Sequence, residues 1–326
     1  MRKYLPWLLR LLGPLLLILF LANANLGGLI DTLRTADVWP IMLSLLLMPP
    51  FVIIKSWRWA RILREMGIRI DMRTAVALYT VGLFYGATTP GQAGDLLKAV
   101  YLRDRGQPMA PAMLSVVLDR LFDLLVMATL ATLGIFALGQ LLPGRALQTA
   151  LVIAMGLGMV ALTVVLTARG PREWVLTGLL PKVAPRLKVS LDRWNSQLTS
   201  LTLRPQLLVP VALASLISAG FTFWRLWLLF LALGLSAVPL YVVVGASALI
   251  AVLQVLPISV AGVGVRDAVL IAILLPYGYG SDQALILSAL FLLLNIEHIL
   301  AGFIVSFWYP LGTMQAGITS DAVLPD

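Results

Sequence analysis

The chain contains no cysteine and a single histidine, His298. The first absence excludes disulfides and thiolate metal sites without fixing a compartment. The second leaves only scattered acids as partners for one imidazole, which is not a metal-ligand set. Neither a metal nor another cofactor is expected. Charge is scarce too: Asp, Glu, Lys and Arg make up 12% of the 326 residues, with 15 acidic against 24 basic side chains. No stretch between the apolar runs is long and polar enough to fold as a soluble catalytic domain. No catalytic motif is found, so an enzyme is not expected. Hydrophobic residues instead account for 60% of the chain, with a mean hydropathy of +0.96. Several runs approach or exceed the roughly 20 apolar residues that cross a bilayer. The chain reads as one all-α integral membrane domain over 1–326.

The net charge of +9 would suit nucleic acid if the bases were spread over a polar surface. They are not. Lys55, Arg58, Arg61, Arg64, Arg69 and Arg73 form one cluster; Arg169, Arg172, Lys182, Arg186, Lys188, Arg193 and Arg204 form another. Both occupy short connections between apolar spans, the pattern that keeps positive loops inside and near anionic lipid. Nucleic acid is therefore not an expected partner. The start, Met1-Arg2-Lys3, resembles a signal peptide, but the apolar run continues to about Ala22 without a convincing small-residue cleavage site. It reads as a retained first span.

Full spans are expected at about 5–22, 38–57, 111–139, 147–168, 206–233 and 283–310, with interrupted regions at 74–103 and 239–276. Region 74–103 lies between Arg69 and Arg73 at one end and Arg103 and Arg105 at the other. Both ends favour the cytoplasm, so it is expected to be a re-entrant hairpin rather than a crossing. Region 239–276 is expected to enter from the opposite face. About six full spans plus two oppositely inserted hairpins make an inverted pseudo-repeat, with both termini cytoplasmic in the cell membrane. Pro49-Pro50 should kink the second span. Leu187, Leu191, Trp194, Leu198 and Leu201 mark an amphipathic helix that lies on the membrane or packs on the protein.

The two breaks are the most informative segments. Thr88 through Asp95 and Pro257 through Asp267 place glycines, prolines and charge inside membrane-grade sequence. Irregular backbone at that depth is tolerated where protein or a water-filled cavity surrounds it, and paired breaks point to a transport site. Thr89 is expected as a helix N-cap, with Pro90 first in the helix and Gln92 completing a capping box. That helix would present free N–H groups, attractive to anions, to the interior. Gly91 and Gly94 allow close approach, and Asp95 and Lys98 can pair three apart; Lys98 is expected, with the helix N-termini and Arg266, to hold a lipid phosphate. In the second break, Gly262 and Gly264 precede Arg266 and Asp267. Arg266 suits phosphate or an acid such as Asp95, Asp119 or Glu297. Asp119 and Asp123 share a helix face with Arg120 beside them, as a substrate site or as a clamp on the first hairpin. Glu297 and His298 at mid-span are either a proton-linked pair or a structural one. Arg225, near a span end, is expected to snorkel.

The same residues carry a family resemblance. Pro90 through Lys98 resembles the Pro-x-x-x-Gly-acid-x-x-base motif of the lysylphosphatidylglycerol synthase transmembrane, or flippase-like, family. Asp119-Arg120-Leu121-Phe122-Asp123 is similar to its acid-Arg-x-x-Asp motif. Pro257 through Asp267 is similar to its glycine-rich motif ending in Arg-acid, and Trp57-Arg58-Trp59 to its basic-aromatic segment. Asp119 and Asp267 stand where glutamate is expected, and Gln92 where a base is common. The resemblance implies two hairpins and movement of phosphate-headgroup lipids, such as aminoacylated phospholipids or polyprenyl-phosphate-linked sugars. The soluble aminoacyl-transferase domain of the full synthases is absent, so lipid lysylation is not expected. Anionic membrane lipids are the expected partners, and a homo-oligomer stays open. The alternatives are a membrane enzyme acting on lipid-linked phosphate and a non-transporting accessory subunit.

The topology is testable directly. In this cysteine-free chain, single cysteines at Arg73 and Arg105 should react with a membrane-impermeant reagent from the same face. Labelling from opposite faces would remove the first re-entrant hairpin.

Overall fold

The computed structural model describes residues 36–87, 89–137, 168–183, 188–200, 205–255 and 265–309, with isolated positions at 185 and between 146 and 164. The expected first span, most of the expected span 147–168, Gly262 and Gly264 lie outside the described residues. Among the described residues, the regular elements are helices only. They are α1 (Val38–Leu46), α2 (Met48–Glu65), α3 (Met72–Ala87), a 3-10 turn (Pro90–Leu96), α4 (Leu97–Arg103) and α5 (Met109–Ala137). After short helical pieces over 169–183 come α6 (Lys188–Ser200), α7 (Pro205–Ala232), α8 (Leu240–Val255), α9 (Val265–Leu274) and α10 (Ser281–Trp308).

Three units are long and apolar enough to cross a membrane: Val38–Glu65, Leu207–Ala232 and Ser281–Trp308. The chain is thus a helical membrane protein with several apolar helices. The first of these units is broken at Leu47, where Pro49 and Pro50 open α2. A proline has no N–H to donate and suits the first turn of a new helix. Asp37 caps α1 by accepting a hydrogen bond from Trp39 N–H at 3.1 Å. Asp71 does the same ahead of α3, accepting from Thr74 N–H at 3.0 Å. Hydrogen bonding to Thr74 holds the exposed Asp71 carboxyl below its ordinary range.

The helices fall into two halves whose patterns of neighbours interchange. The α1–α2 unit and α7 each contain 28 residues, and α3 and α8 each contain 16. In the first half α3 packs on α2 and α4 on α5; in the second α8 packs on α7 and α9 on α10. The halves interlock, since α3 packs most extensively on α10 and α8 on α5. Gly94 and Gly262, Lys98 and Arg266, and Gly134 and Gly302 are each separated by 168 residues. That displacement also carries both ends of α3 onto both ends of α8.

Close glycine contacts join the halves. Gly134 on α5 faces Gly245 on α8 so tightly that a Cβ on Gly245 would lie 2.7 Å from the Gly134 Cα. Gly302 on α10 meets Phe84 and the Thr80 carbonyl on α3 in the same manner. Small residues permit this approach in a membrane, where helix association rests on packing rather than on escape from water. The amphipathic helix α6 packs on the protein: Leu191 is buried in one cluster with Ile62, Leu114, Leu118 and Leu207, and Trp194 packs against it. Gly134→Leu should therefore force α5 and α8 apart and cost about 1–3 kcal/mol or more. A lower melting temperature of the purified variant would show this; an unchanged melting curve would deny the contact.

Candidate functional site

The first polar cluster forms where α2, α3, α4 and α5 converge. Arg58 is fully buried. Its Nε donates to Asp119 Oδ1 at 2.8 Å, one Nη donates to Ser215 Oγ at 2.8 Å and to Asp123, and the other donates to the Asp119 carbonyl at 3.2 Å. Lys55 Nζ donates to the second oxygen of Asp123 at 2.6 Å. Lys55 and Arg58 therefore do not belong with the exposed bases Arg64, Arg69 and Arg73. Helical spacing places them on the inward face of α2, three residues apart.

The cluster continues into the first break. Asp119 Oδ2 accepts from the Tyr79 hydroxyl at 3.1 Å. Lys98 Nζ lies 2.9 Å from Asp95 and 3.8 Å from Asp119, and sits 4.1 Å from the Tyr79 ring centre and 5.0 Å from that of Trp59. The expected Asp95–Lys98 pair is present, but it is completely enclosed. Gly82 makes room for it: a Cβ there would stand 2.6 Å from both side chains. Arg120 turns away from Asp123, donating from Nε to Asp95 at 2.8 Å and from Nη1 to Gln92 at 2.6 Å.

The expected capping box does not form. Thr89 instead accepts from Gly94 N–H at 2.6 Å and donates to the Tyr85 carbonyl at 2.8 Å, closing a wider loop. Gln92 is committed to Arg120 and takes a φ of +56°, an uncommon conformation for a residue with a Cβ. The segment begins as a 3-10 turn over Pro90–Leu96 rather than as an α-helix. Gly94 is required, since a Cβ there would overlap the Tyr85 carbonyl. Gly91 lies within this turn.

The second polar cluster surrounds a cavity of about 140 Å³ walled by α2, α7, α8, α9 and α10. Arg225 and Arg266 both line it, each 3% exposed. Arg225 does not snorkel. It ion-pairs with Glu297, donates from Nε to the Ser44 carbonyl at 2.8 Å, and has Nη1 3.3 Å from His298 Nε2. Its inward position follows from facing acceptors on α10 and at the break of the first unit. Arg266 Nε donates to Ser288 Oγ at 2.7 Å, while the Asp267 carboxylate lies 4.0 Å away and is hydrogen-bonded by that same serine. Arg266 thus pairs with none of Asp95, Asp119 and Glu297. Its other nitrogens have no hydrogen-bond acceptor among the described residues. The buried Ser247 hydroxyl, also on the wall, has no hydrogen-bond partner.

Sequence reasoning missed Lys55, Arg58, Tyr79, Gly82 and Ser247. A threefold-spaced pair of bases within an apolar run was the available signal for the first two. Among the described residues, no three His, Asp or Glu side chains gather as a metal-ligand set.

Residues 7–302 match the family model of the lysylphosphatidylglycerol synthase TM region. The chain belongs to that family. It is similar to a UPF0104 membrane protein of Pyrococcus horikoshii, 24% identical over 350 aligned positions that cover 98% of this chain and 96% of that protein. It is also 24% identical to a UPF0104 membrane protein of Methanothermobacter thermautotrophicus, with 88% of each chain covered. Two polar clusters on one helical framework are therefore the candidate working parts of a chain that the family model covers over nearly its whole length.

Because a buried ion pair leaves a desolvated charge when one partner is removed, Arg58→Gln or Asp119→Asn should each destabilise the chain by about 3–5 kcal/mol. Folded yield and melting temperature measure the loss. The double variant should recover part of it; two additive losses would show that the pair is not the unit.

Proposed function

We propose that this protein is a flippase-like translocase that moves lipids with phosphate-bearing headgroups across the cell membrane, without changing them chemically. The observation that carries the reading is the Arg266 guanidinium, buried on a cavity wall with donors to spare. A planar five-donor fork matches phosphate geometry, and an ionised side chain at membrane depth ordinarily marks a substrate or ion pathway. The cavity lies between α7 and the second broken pair, α8 and α9, as expected for sites built at discontinuous helices. Family membership supports lipid handling as the setting.

In this reading the headgroup enters beside Arg266 and Arg225 while the acyl or prenyl chains stay in the bilayer. Lys98 and Asp95 hold the first hairpin to α5 and α3 rather than contacting the headgroup, because Lys98 is already enclosed by two carboxylates and two rings. The hairpins are re-entrant from opposite faces, the two halves form an inverted repeat, and both termini are cytoplasmic. The interchange of neighbours between the halves and the Lys/Arg bias support that arrangement. Glu297 balances Arg225 and releases it when a phosphate arrives.

A hydrogen bond to a charged group contributes about 1.5–3 kcal/mol, so Arg266→Ala should weaken headgroup binding about 10–100-fold and slow translocation in liposomes. Arg266→Lys keeps the charge but loses the fork and should recover only part of the activity. Wild-type transport by both folded variants would place the headgroup elsewhere. Conversion of the headgroup during transport would favour a membrane enzyme.

A further inference from the structure

The geometry points to a site that takes a compact phosphoryl headgroup and excludes one carrying an ammonium group, so that the substrate is an anionic phospholipid rather than an aminoacylated one. This inference rests on the translocase reading and narrows its substrate.

Three observations carry it. The first is the chemistry of the wall. Two guanidinium-bearing side chains, Arg225 and Arg266, line the cavity, and among the described residues no carboxylate does. Glu297 and Asp267 stand behind them, already engaged by Arg225 and by Ser288. An ammonium entering here meets like charge and finds no anionic partner, a juxtaposition that costs several kcal/mol when desolvated.

The second is the pair of unused donors. Among the described residues Arg266 spends only Nε on a protein hydrogen bond, and the buried Ser247 hydroxyl has no hydrogen-bond partner. Buried polar groups are ordinarily satisfied, and an exception calls for a ligand or water. Phosphoryl oxygens accept from both.

The third is size. About 140 Å³ is close to the roughly 150 Å³ of a cavity that holds one benzene-sized molecule. A phosphate with its ester oxygens fits that space.

Comparison of the two halves strengthens the assignment. Lys98 and Arg266 are equivalent under the 168-residue displacement, yet their surroundings differ. Lys98 has carboxylates of its own at 2.9 and 3.8 Å, whereas Arg266 has a serine hydroxyl at 2.7 Å and its nearest carboxylate at 4.0 Å. In the first half two carboxylates pair with the cation, although Lys98 Nζ makes no hydrogen bond. In the second the nearest carboxylate is farther away and the cation is left for an external anion.

The test uses the full chain purified in detergent, with dissociation constants measured by native mass spectrometry. The probes are dioctanoyl phosphatidate, dioctanoyl phosphatidylglycerol, dioctanoyl lysyl-phosphatidylglycerol and inorganic phosphate. The first two lipids should bind about tenfold or more tighter than the lysylated one, and inorganic phosphate should bind more weakly than phosphatidate. A lysylated lipid that binds as well as phosphatidylglycerol would overturn the exclusion of ammonium. Inorganic phosphate that binds as tightly as phosphatidate would overturn the lipid assignment in favour of a soluble anion. Ser247→Asp should weaken phosphatidate about tenfold or more and narrow the gap to the lysylated lipid. Should that variant not fold, Ser247→Val removes the hydroxyl while remaining apolar and should weaken phosphatidate about threefold or more. Wild-type affinity in the folded variant would move the headgroup out of this cavity. Selective binding without transport would sink the translocase reading alone; transport indifferent to the ammonium would sink this inference alone.

Discussion

Arg58 is the charge around which the first half is arranged. An uncompensated guanidinium in the interior of a membrane protein carries a desolvation penalty of several kcal/mol, so acceptors must surround it. Asp119 and Asp123 come from α5 and Ser215 from α7, which pins three helices at one point. Each carboxylate then needs its own second partner. Asp123 takes Lys55 and Asp119 takes the Tyr79 hydroxyl, and Lys98 joins the cluster with Asp95. Arg120 and Gln92 complete the outer end. The irregular backbone of the first break is held in place by this succession of partners, and its positive φ at Gln92 is the local cost of delivering a side chain to Arg120.

The second half faces the same problem with fewer acids. Arg225 is matched by Glu297 much as Arg58 is matched by Asp119, and the two arginines occupy equal positions in equally long helical units. Arg266 is not matched in that way. The bases of the first cluster each have a carboxylate within 3 Å, whereas the carboxylate nearest Arg266 lies 4.0 Å away. A charged group retained without full compensation is costly to keep, and a site that binds anions is a physical reason to keep it.

Much of the fold was legible because hydropathy is a local property. Apolar runs located α5, α7 and α10 to within a few residues, and found the start of the α1–α2 unit but ended it at 57 where it runs on to Glu65; Pro49-Pro50 marked the break between α1 and α2. The Asp95–Lys98 pair was legible for the same reason, since three residues on one chain segment determine it. The ion pairs that define the clusters were not. Arg58 and Asp119 are 61 residues apart, and Arg225 and Glu297 are 72 apart. Loop-charge statistics treat every base in a cluster alike, so Lys55 and Arg58 were grouped with their exposed neighbours. The capping-box motif at Thr89 competed with Arg120 for Gln92, and the guanidinium won because a charged donor outweighs a backbone N–H. The interchange of neighbours between the halves was hidden because only a few small and basic residues share the 168-residue spacing, while helix lengths and contacts make it visible.

The glycine contacts explain how the two electrostatic solutions coexist in one chain. Lipid tails are as apolar as the helices, so nothing equivalent to expulsion from water presses the halves together. Close backbone approach does so instead, at Gly134 with Gly245 and at Gly302 with α3. Each contact joins the first helix of one broken pair to the long helix of the other half. Neither half can therefore be treated as a separate module. The framework is held by packing at these crossings, by the ion pairs of the first cluster and by Arg225 with Glu297 and the Ser44 carbonyl, which leaves Ser247 and the outer nitrogens of Arg266 free of a structural duty among the described residues. Separating adhesion from recognition in this way allows Arg266 and Ser247 to remain buried without protein partners sufficient to satisfy them.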